Sequence, residues 1–435
     1  MTPQQARIHF IAAENFYDIA KVKADGKEGN LKKAIEGFHK ALEYYTPSAS
    51  VLDFIKAKTK LAQAYRSLSS IKDKEENLII AINSLETVLE YATFSFSPVD
   101  YATAKNNLGN ALLDLSHVKD PEPNLMQALA AQKEALKVRT FDAFPVDYGM
   151  TQNNIGNVYL CLAKVKDKET NLNNALFAYS EAIRALSVRY FPFDYARTLV
   201  NMANAFDSLA DIKDPIKYLG LAIKALNEAL TIYTYNNSPS MYGLAHINLG
   251  ATYNHRASFS DKKADWLSKS IQAYLKALEI FHIDSFPLNY AMAHANLGVT
   301  YNDFAYVENP EIYLAKAVNS FKEALRVYKI DNEPINYAQV QYNLGVAFGM
   351  LSELGDKKEN LEKAINAFME SVEAATSAHD SAKAAESFLK IGMAHLRNGD
   401  KQGFKEYLHK AKLLFETLNL KKETNETIEL LNKFG

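Results

Sequence analysis

The stretch "NNLGNALL", residues 106–113, has the apolar spacing of an amphipathic helix, yet it holds three asparagines and a glycine. Inside a helix each of these costs roughly 0.5–1 kcal/mol relative to Ala, so a helix that keeps them needs a reason. Nearly the same string, "NNIGNVYL", returns at residues 153–160. Recurrence at a fixed distance marks a repeat protein. Gly109, Gly156, Ala203, Gly250, Gly298, Gly345 and Gly392 follow one another at steps of 47 residues, with a single step of 48 after Gly250. A second marker keeps the same steps: Asn77-Leu78, Asn124-Leu125, Asn171-Leu172, Tyr218-Leu219, Trp266-Leu267, Tyr313-Leu314 and Asn360-Leu361. A third is proline, at Pro98, Pro145, Pro192, Pro239, Pro287 and Pro334, each three residues before a tyrosine. The extra residue of the long step falls in "HRASFSDKKAD", a polar connection where an insertion is tolerated.

Each period predicts two helices. Helix A starts at the Pro-x-x-Tyr, because proline suits a first turn and breaks a helix interior. In "YATAKNNLGNALLDLS" the residues Ala102, Leu108, Ala111, Leu112 and Leu115 recur at helical spacing. A charged loop such as "KVKDKET" follows. Helix B then places Leu172, Ala175, Leu176, Tyr179, Ala182 and Ile183 on one stripe. No segment shows sustained strand alternation between hairpin turns. The expected fold class is all-α: one domain over residues 1–435, built of nine helical hairpins starting near 4, 51, 99, 146, 193, 240, 288, 335 and 382. A capping helix is expected at about 422–433, since an open stack needs a polar end.

Composition narrows the function. The 435 residues are 48% hydrophobic and 23% charged, with a net charge of -2, so an ordered chain is expected without bulk attraction to nucleic acid or anionic lipid. The single cysteine, Cys161, excludes an intrachain disulfide framework and fits a reducing compartment. The start, "MTPQQARIHF", lacks a basic segment followed by an apolar run, and no window approaches 18 apolar residues. The expectation is a cytoplasmic protein with no membrane partner. There is no His-Glu-x-x-His, no Cys-x-x-Cys and no phosphate-binding Gly-x-x-x-x-Gly-Lys-Ser/Thr. No catalytic residue, metal or cofactor is expected.

The order Leu-Gly-x-x-Tyr in helix A and Ala-x-x-x-Phe-x-x-Ala-Leu in helix B, as in "LGVTY" (297–301) and "AVNSFKEAL" (317–325), resembles the tetratricopeptide repeat. The usual period is about 34 residues, and 47 is a departure. Kinesin light chain has longer-period relatives of this kind, and the "F-P-x-D-Y" linkers, as at residues 144–148 and 191–195, are most similar to prokaryotic tandem arrays. The resemblance implies a right-handed α-solenoid whose A helices line a concave groove.

Counting helix A from its tyrosine as position 1, position 9 is the small residue, which close packing of helix B accounts for. Position 12 is often aromatic (Tyr65, Tyr159, Phe206, Tyr253, Tyr301, Phe348), which a core accounts for. Position 7 holds Asn107, Asn154, Asn201, Asn248, Asn296 and Asn343 in six consecutive repeats, with Lys60 and Lys390 flanking them. Positions 3, 7, 10 and 14 share one helical face. The resemblance implies that this face contacts ligand. A carboxamide carries donors and acceptors and can grip the N–H and C=O of an extended peptide. The competing reading is that these asparagines bond to a neighbouring helix and set repeat geometry. Asn110, Asn157, Asn204, Arg197, Gln339 and His255 share the face and would tune specificity, with Met150, Met292 and Met350 as adaptable apolar contacts. Cys161 and His255 stand two repeats apart, too far for a catalytic pair.

The expected function is a non-enzymatic scaffold or adaptor that binds another protein through an extended peptide segment. A self-assembling structural module is the alternative, a homo-oligomer in which the C-terminal "LKKETNETIELLNKFG" could fill a groove. A regulatory subunit that senses a ligand or signalling peptide is a third.

Overall fold

A computed structural model describes residues 2–22 and 26–435. Among these residues all regular structure is helical. The chain divides into two compact units, Met1–Asp214 and Pro215–Gly435. Unit 1 holds α1 (Pro3–Val22), α2 (Lys27–Leu42), α3 (Pro47–Ser69), α4 (Lys74–Tyr91), α5 (Pro98–Leu115), α6 (Pro121–Leu136), α7 (Pro145–Leu162), α8 (Lys168–Ala185) and α9 (Pro192–Ala210). Unit 2 holds α10 (Pro215–Ile232), α11 (Pro239–Ala257), α12 (Lys263–Leu278), α13 (Pro287–Ala305), α14 (Pro310–Ala324), α15 (Pro334–Leu354), α16 (Lys357–Ser377), α17 (Ser381–Arg397), α18 (Lys401–Thr417) and α19 (Lys421–Phe434). Within each unit an A helix packs on the B helix that follows it, and the next hairpin stacks alongside. The fold is all-α, an α-solenoid of stacked hairpins. In α3 the residue Ser50 is non-helical (φ -161°, ψ 95°), so the regular turns of that helix run from Val51 onward. The last helix, α19, packs against α18 and buries little beyond Thr427.

Each sequence marker has a physical task within a hairpin. The prolines at 98, 145, 239, 287 and 334 occupy the first turn of their helices, where the missing N–H is not needed. The tyrosine three residues later crosses to helix B and donates to a glutamate. Tyr101 reaches Glu134 at 3.0 Å, Tyr148 reaches Glu181 at 2.5 Å, Tyr290 reaches Glu323 at 2.5 Å and Tyr337 reaches Glu370 at 2.8 Å. Burial and the facing carboxylate push the Tyr290 phenol up to about 12, so it remains a donor. The second marker closes the turn between helices. Asn77, Asn124, Asn171 and Asn360 each donate from Nδ2 to a carbonyl five residues earlier, at 2.7–3.0 Å. Just before six of the B helices the chain passes through a left-handed Asp or Asn with φ of 40–46°: Asp73, Asp120, Asp167, Asp214, Asn309 and Asp356. These are the non-glycine types that accept this conformation most readily.

The glycine marker is a close approach. A Cβ on Gly250 would lie 2.8 Å from the ring of Tyr274, on Gly298 2.5 Å from Phe321, and on Gly345 2.7 Å from Phe368. Tyr179 presses equally on Gly156, and at Gly109 the ring is replaced by Gln132. Helix B therefore lays a large side chain flat on the backbone of helix A. These rings and the leucines beside them, such as Leu125, Leu172, Leu314 and Leu361, are buried in the apolar interior.

Candidate functional site

The candidate face lies on the A helices, where the repeated asparagines stand. In unit 1 the structure ties several of them to the protein itself. Asn154 Nδ2 donates to Oδ1 of Asn106 on the preceding A helix at 3.1 Å, and Asn201 Nδ2 donates to Oδ1 of Asn153 at 3.0 Å. The acceptor is the first residue of the doublets "NN" at 106–107 and 153–154, one position before the ladder. Asn110 and Asn157 are also engaged. Asn110 Oδ1 accepts from Gln132 Nε2 at 3.0 Å, and Asn157 Oδ1 accepts from the Tyr179 hydroxyl at 2.8 Å. The opening string is thereby explained: Asn106 bonds the next repeat, Gly109 admits helix B, and Asn110 fixes the side chain laid over it. Asn204 has no side-chain bond among the described residues. Arg197 is exposed and pairs with Asp194 at 2.7 Å.

Asn107 differs from its counterparts. Position 6 of the preceding repeat is Thr59, and the buried Nδ2 of Asn107 meets no acceptor. It lines a cavity of about 270 Å³ with Tyr17, Lys21, Gln63, Arg66 and Ser67. Between α5 and α7 a cation is buried. Arg139 donates to Thr103 and to Thr151, both at 3.2 Å, with Asp147 at 3.6 Å and its side chain only 12% exposed. Other repeats carry Ala92, Leu186, Phe281 or Tyr328 at that position.

Unit 2 leaves the ladder open. Asn248 and Asn296 are partly exposed and make no side-chain hydrogen bond among the described residues. The residue one position before the ladder, which supplies the acceptor in unit 1, is Ile247 ahead of Asn296 and Ala295 ahead of Asn343, and neither has a side-chain acceptor. Among the described residues the Asn343 side chain bonds only along its own helix, accepting from Gln339 at 3.3 Å. Here the ties between A helices sit six residues on, at position 13, a register unit 1 also uses where Arg66 donates to Asp114 at 2.6 Å. Asn254 donates to Asp303 at 2.9 Å and to Thr300 at 3.2 Å, and Asn302 donates to the Asn343 carbonyl at 3.3 Å. His255 is half-buried, its ring 5.6 Å from that of Phe259.

Two histidines at position 5 were not singled out by the sequence. His246 and His294 each lie edge-on to the tyrosine one turn earlier, at 4.4 Å, and each has a buried Nδ1 with no partner. Burial drives His246 down to about 4 and lowers His294 as well. Both are neutral near pH 7. Cys161 is half-buried, and burial raises its thiol, which makes it a poor nucleophile. Among the described residues no group of three or more His, Cys, Asp or Glu could hold a metal. No helix there is long and apolar enough to cross a membrane.

No family model and no curated protein matches the chain. Solved structures do. A signal-transduction ATPase with numerous domains that carries a tetratricopeptide-repeat sensor, from Pyrococcus horikoshii, aligns at TM-score 0.51 and 13% identity, over 98% of this chain and 66% of that one. The fold is that of tetratricopeptide-repeat proteins. The apo form of RapI aligns at TM-score 0.57 and 13% identity, over 95% of this chain and 98% of that one. The apo form of the quorum sensor NprR from B. thuringiensis aligns at 0.53 and 12%, over 93% and 97%. At these identities the likeness is one of fold.

Proposed function

We propose that the protein is a non-enzymatic interaction module that binds an extended peptide segment of a partner along its A-helix face. Asn248 and Asn296 in unit 2 are the peptide-contacting carboxamides, with Asn343, Gln339 and His255 beside them. Asn154 and Asn201 in unit 1 hold repeat geometry first, and Asn107, Asn204 and Arg197 offer the remaining contacts there. The observation that carries this reading is the pair Asn248 and Asn296: mid-helix asparagines, costly to the helix, whose side chains make no hydrogen bond among the described residues. A residue kept against its own propensity, and not used by the fold, has a use outside it.

The test is selection of binders from a displayed library of random linear peptides, followed by affinity measurement with Asn248→Ala/Asn296→Ala. Each lost amide pair is worth about 1 kcal/mol, so the double variant binds roughly tenfold to hundredfold more weakly while staying folded. Equal affinity would remove the ladder from the binding site. A peptide-sensing role on the same face is a second reading, favoured by the fold shared with the quorum sensor NprR. It predicts in addition that a selected peptide changes the small-angle scattering profile.

A further inference from the structure

A cavity of about 500 Å³ opens in unit 2 among helices α13 to α17. Its origin is visible in the repeat register. Position 13 of helix A is Leu113, Leu160, Asp207, Asn254 and Asn302 in five repeats and Gly349 in the next. Where Asn254 and Asn302 tie one A helix to its neighbour, Gly349 leaves a space. A Cβ added there meets nothing within 4 Å. The walls are apolar and flexible, with Val346, Met350, Leu354 and Met393 among them. Three charged groups border it. Arg397 is committed to Glu353 at 3.0 Å and approaches the Gly349 carbonyl at 3.4 Å. Lys390 is exposed and has no acidic or hydrogen-bonding partner among the described residues. Lys390 also stands at the ladder position of its repeat, in line with the asparagines.

We infer that this cavity is a specificity pocket for the bound peptide. It takes one large apolar side chain (Leu, Met or Phe), and Lys390 pairs with an Asp or Glu side chain next to it in the peptide. The inference rests on the peptide-binding reading above. Complementarity favours this occupant: an apolar chamber with two methionines that reshape to fit, closed by one uncompensated positive charge.

Two measurements on the full chain test it. The first uses 1-anilinonaphthalene-8-sulfonate, a probe with an apolar body and an anionic head. Wild type enhances its fluorescence, and Gly349→Leu, which fills the chamber, and Lys390→Glu, which repels the head, each reduce that enhancement severalfold with melting temperature held. The second repeats the peptide selection with each variant. Wild-type binders carry an apolar residue beside an acidic one, Lys390→Glu turns the acidic flank basic, and Gly349→Leu erases the apolar preference. Unchanged probe binding in both variants overturns the pocket. Reduced probe binding with unchanged peptide motifs overturns its role as an anchor, and so does a motif that ends on a free carboxyl terminus or self-association of the chain. If peptides bind and depend on Asn248 and Asn296 alone, peptide binding stands and the pocket falls. If no peptide binds any variant, the peptide-binding reading fails and carries this inference with it.

Discussion

The two units repeat the same 47-residue theme with different bonds. In unit 1 the A helices are joined by carboxamides at the ladder position, Asn154 to Asn106 and Asn201 to Asn153. A polar side chain, Gln132, covers one glycine, and lysines and glutamates link the loop edge. In unit 2 the joints sit at position 13, on Asn254 and Asn302, and the glycines lie under Tyr274, Phe321 and Phe368. A position-13 joint also occurs in unit 1, from Arg66 to Asp114 at 2.6 Å, beside the ladder ties, so the joint alone does not account for the open side chains of Asn248 and Asn296. The same residue type at the same register is thus a structural tie in one unit and an unspent group in the other. What decides is the neighbour one repeat earlier: Asn106 and Asn153 supply an acceptor, and Ile247 supplies none.

The largest effect separates two glycines one turn apart in α15. A Cβ at Gly345 would sit 2.7 Å from the Phe368 ring, whereas at Gly349 it meets open space. Gly345→Leu forces the helices apart and costs about 3 kcal/mol, as Gly156→Leu does under Tyr179. Gly349→Leu is neutral or gains up to about 1 kcal/mol, because Gly is a poor helix former. Thermal denaturation of the three variants reads this directly. Equal losses at 345 and 349 would mean the cavity does not exist in solution.

Next is the response to acid: burial lowers His39 and His117 in unit 1 too, and in unit 2 it carries His246 down to about 4. The folded His246 titrates at about 4, below the ordinary value of 6.5. Between those values the unfolded chain holds a proton that the folded one refuses. Stability is therefore full above about pH 6.5 and falls as pH drops toward 4. Each pH unit in that window is worth about 1.4 kcal/mol, so the loss by about pH 5 is about 2 kcal/mol. His294 adds in the same direction. Gln occupies the same register in two other repeats, as Gln152 and Gln341, and Gln341 donates to its tyrosine at 2.9 Å. His246→Gln should flatten the pH profile, and amides of α11 should lose exchange protection in wild type before those of α5. A profile unchanged by the substitution would assign the acid response elsewhere.

Smaller, but aimed at the comparison itself, is a pair of double variants. Asn154→Ala/Asn201→Ala breaks two joints and costs about 1 kcal/mol per bond, partly offset by the better helix propensity of Ala. Asn248→Ala/Asn296→Ala removes no side-chain bond seen among the described residues and gains about 0.5 kcal/mol per site from propensity. Opposite signs in chemical denaturation sustain the division of labour. The same sign in both would show that the freed asparagines are also structural.

The period, the two helices per repeat and the all-α class were legible because three markers recur and each serves a local task. Pro98, Asn124 and Gly298 act within their own hairpin, so spacing along the chain is enough to find them. The ladder was legible as a pattern and not as a role. Asn154 and Asn248 look alike in sequence, and their difference lies 48 residues upstream of Asn154, in the first Asn of the doublet. That doublet was in view in the opening string, and pairing each ladder asparagine with the preceding repeat would have found the joint. His246, Arg139 and the Gly349 cavity were not legible, because each is an exception in one or two repeats. A search for what recurs passes over them, and only the packing around them shows what they do.

The smallest effect concerns the loop edge, where the units also part. Lys119 donates to Glu75 at 2.8 Å, Lys166 to Glu122 and Lys213 to Glu169, one rung per repeat in unit 1. At the same register unit 2 carries Glu308 opposite Ala264 and Gly355 opposite Glu311, and neither couple can form a rung. The unit 1 pairs are solvent-exposed, and exposed ion pairs contribute little and are screened by salt. Any one Lys→Ala change should be too small to resolve. Lys119→Glu/Lys166→Glu/Lys213→Glu places like charges on all three rungs and should lower the melting temperature by a few degrees at most in low salt. The deficit should vanish at about 1 M salt, where the screening length is about 3 Å. A deficit that survived salt would mean that the lysine stems pack on the loop edge, so that the rungs hold unit 1 by contact and not by charge.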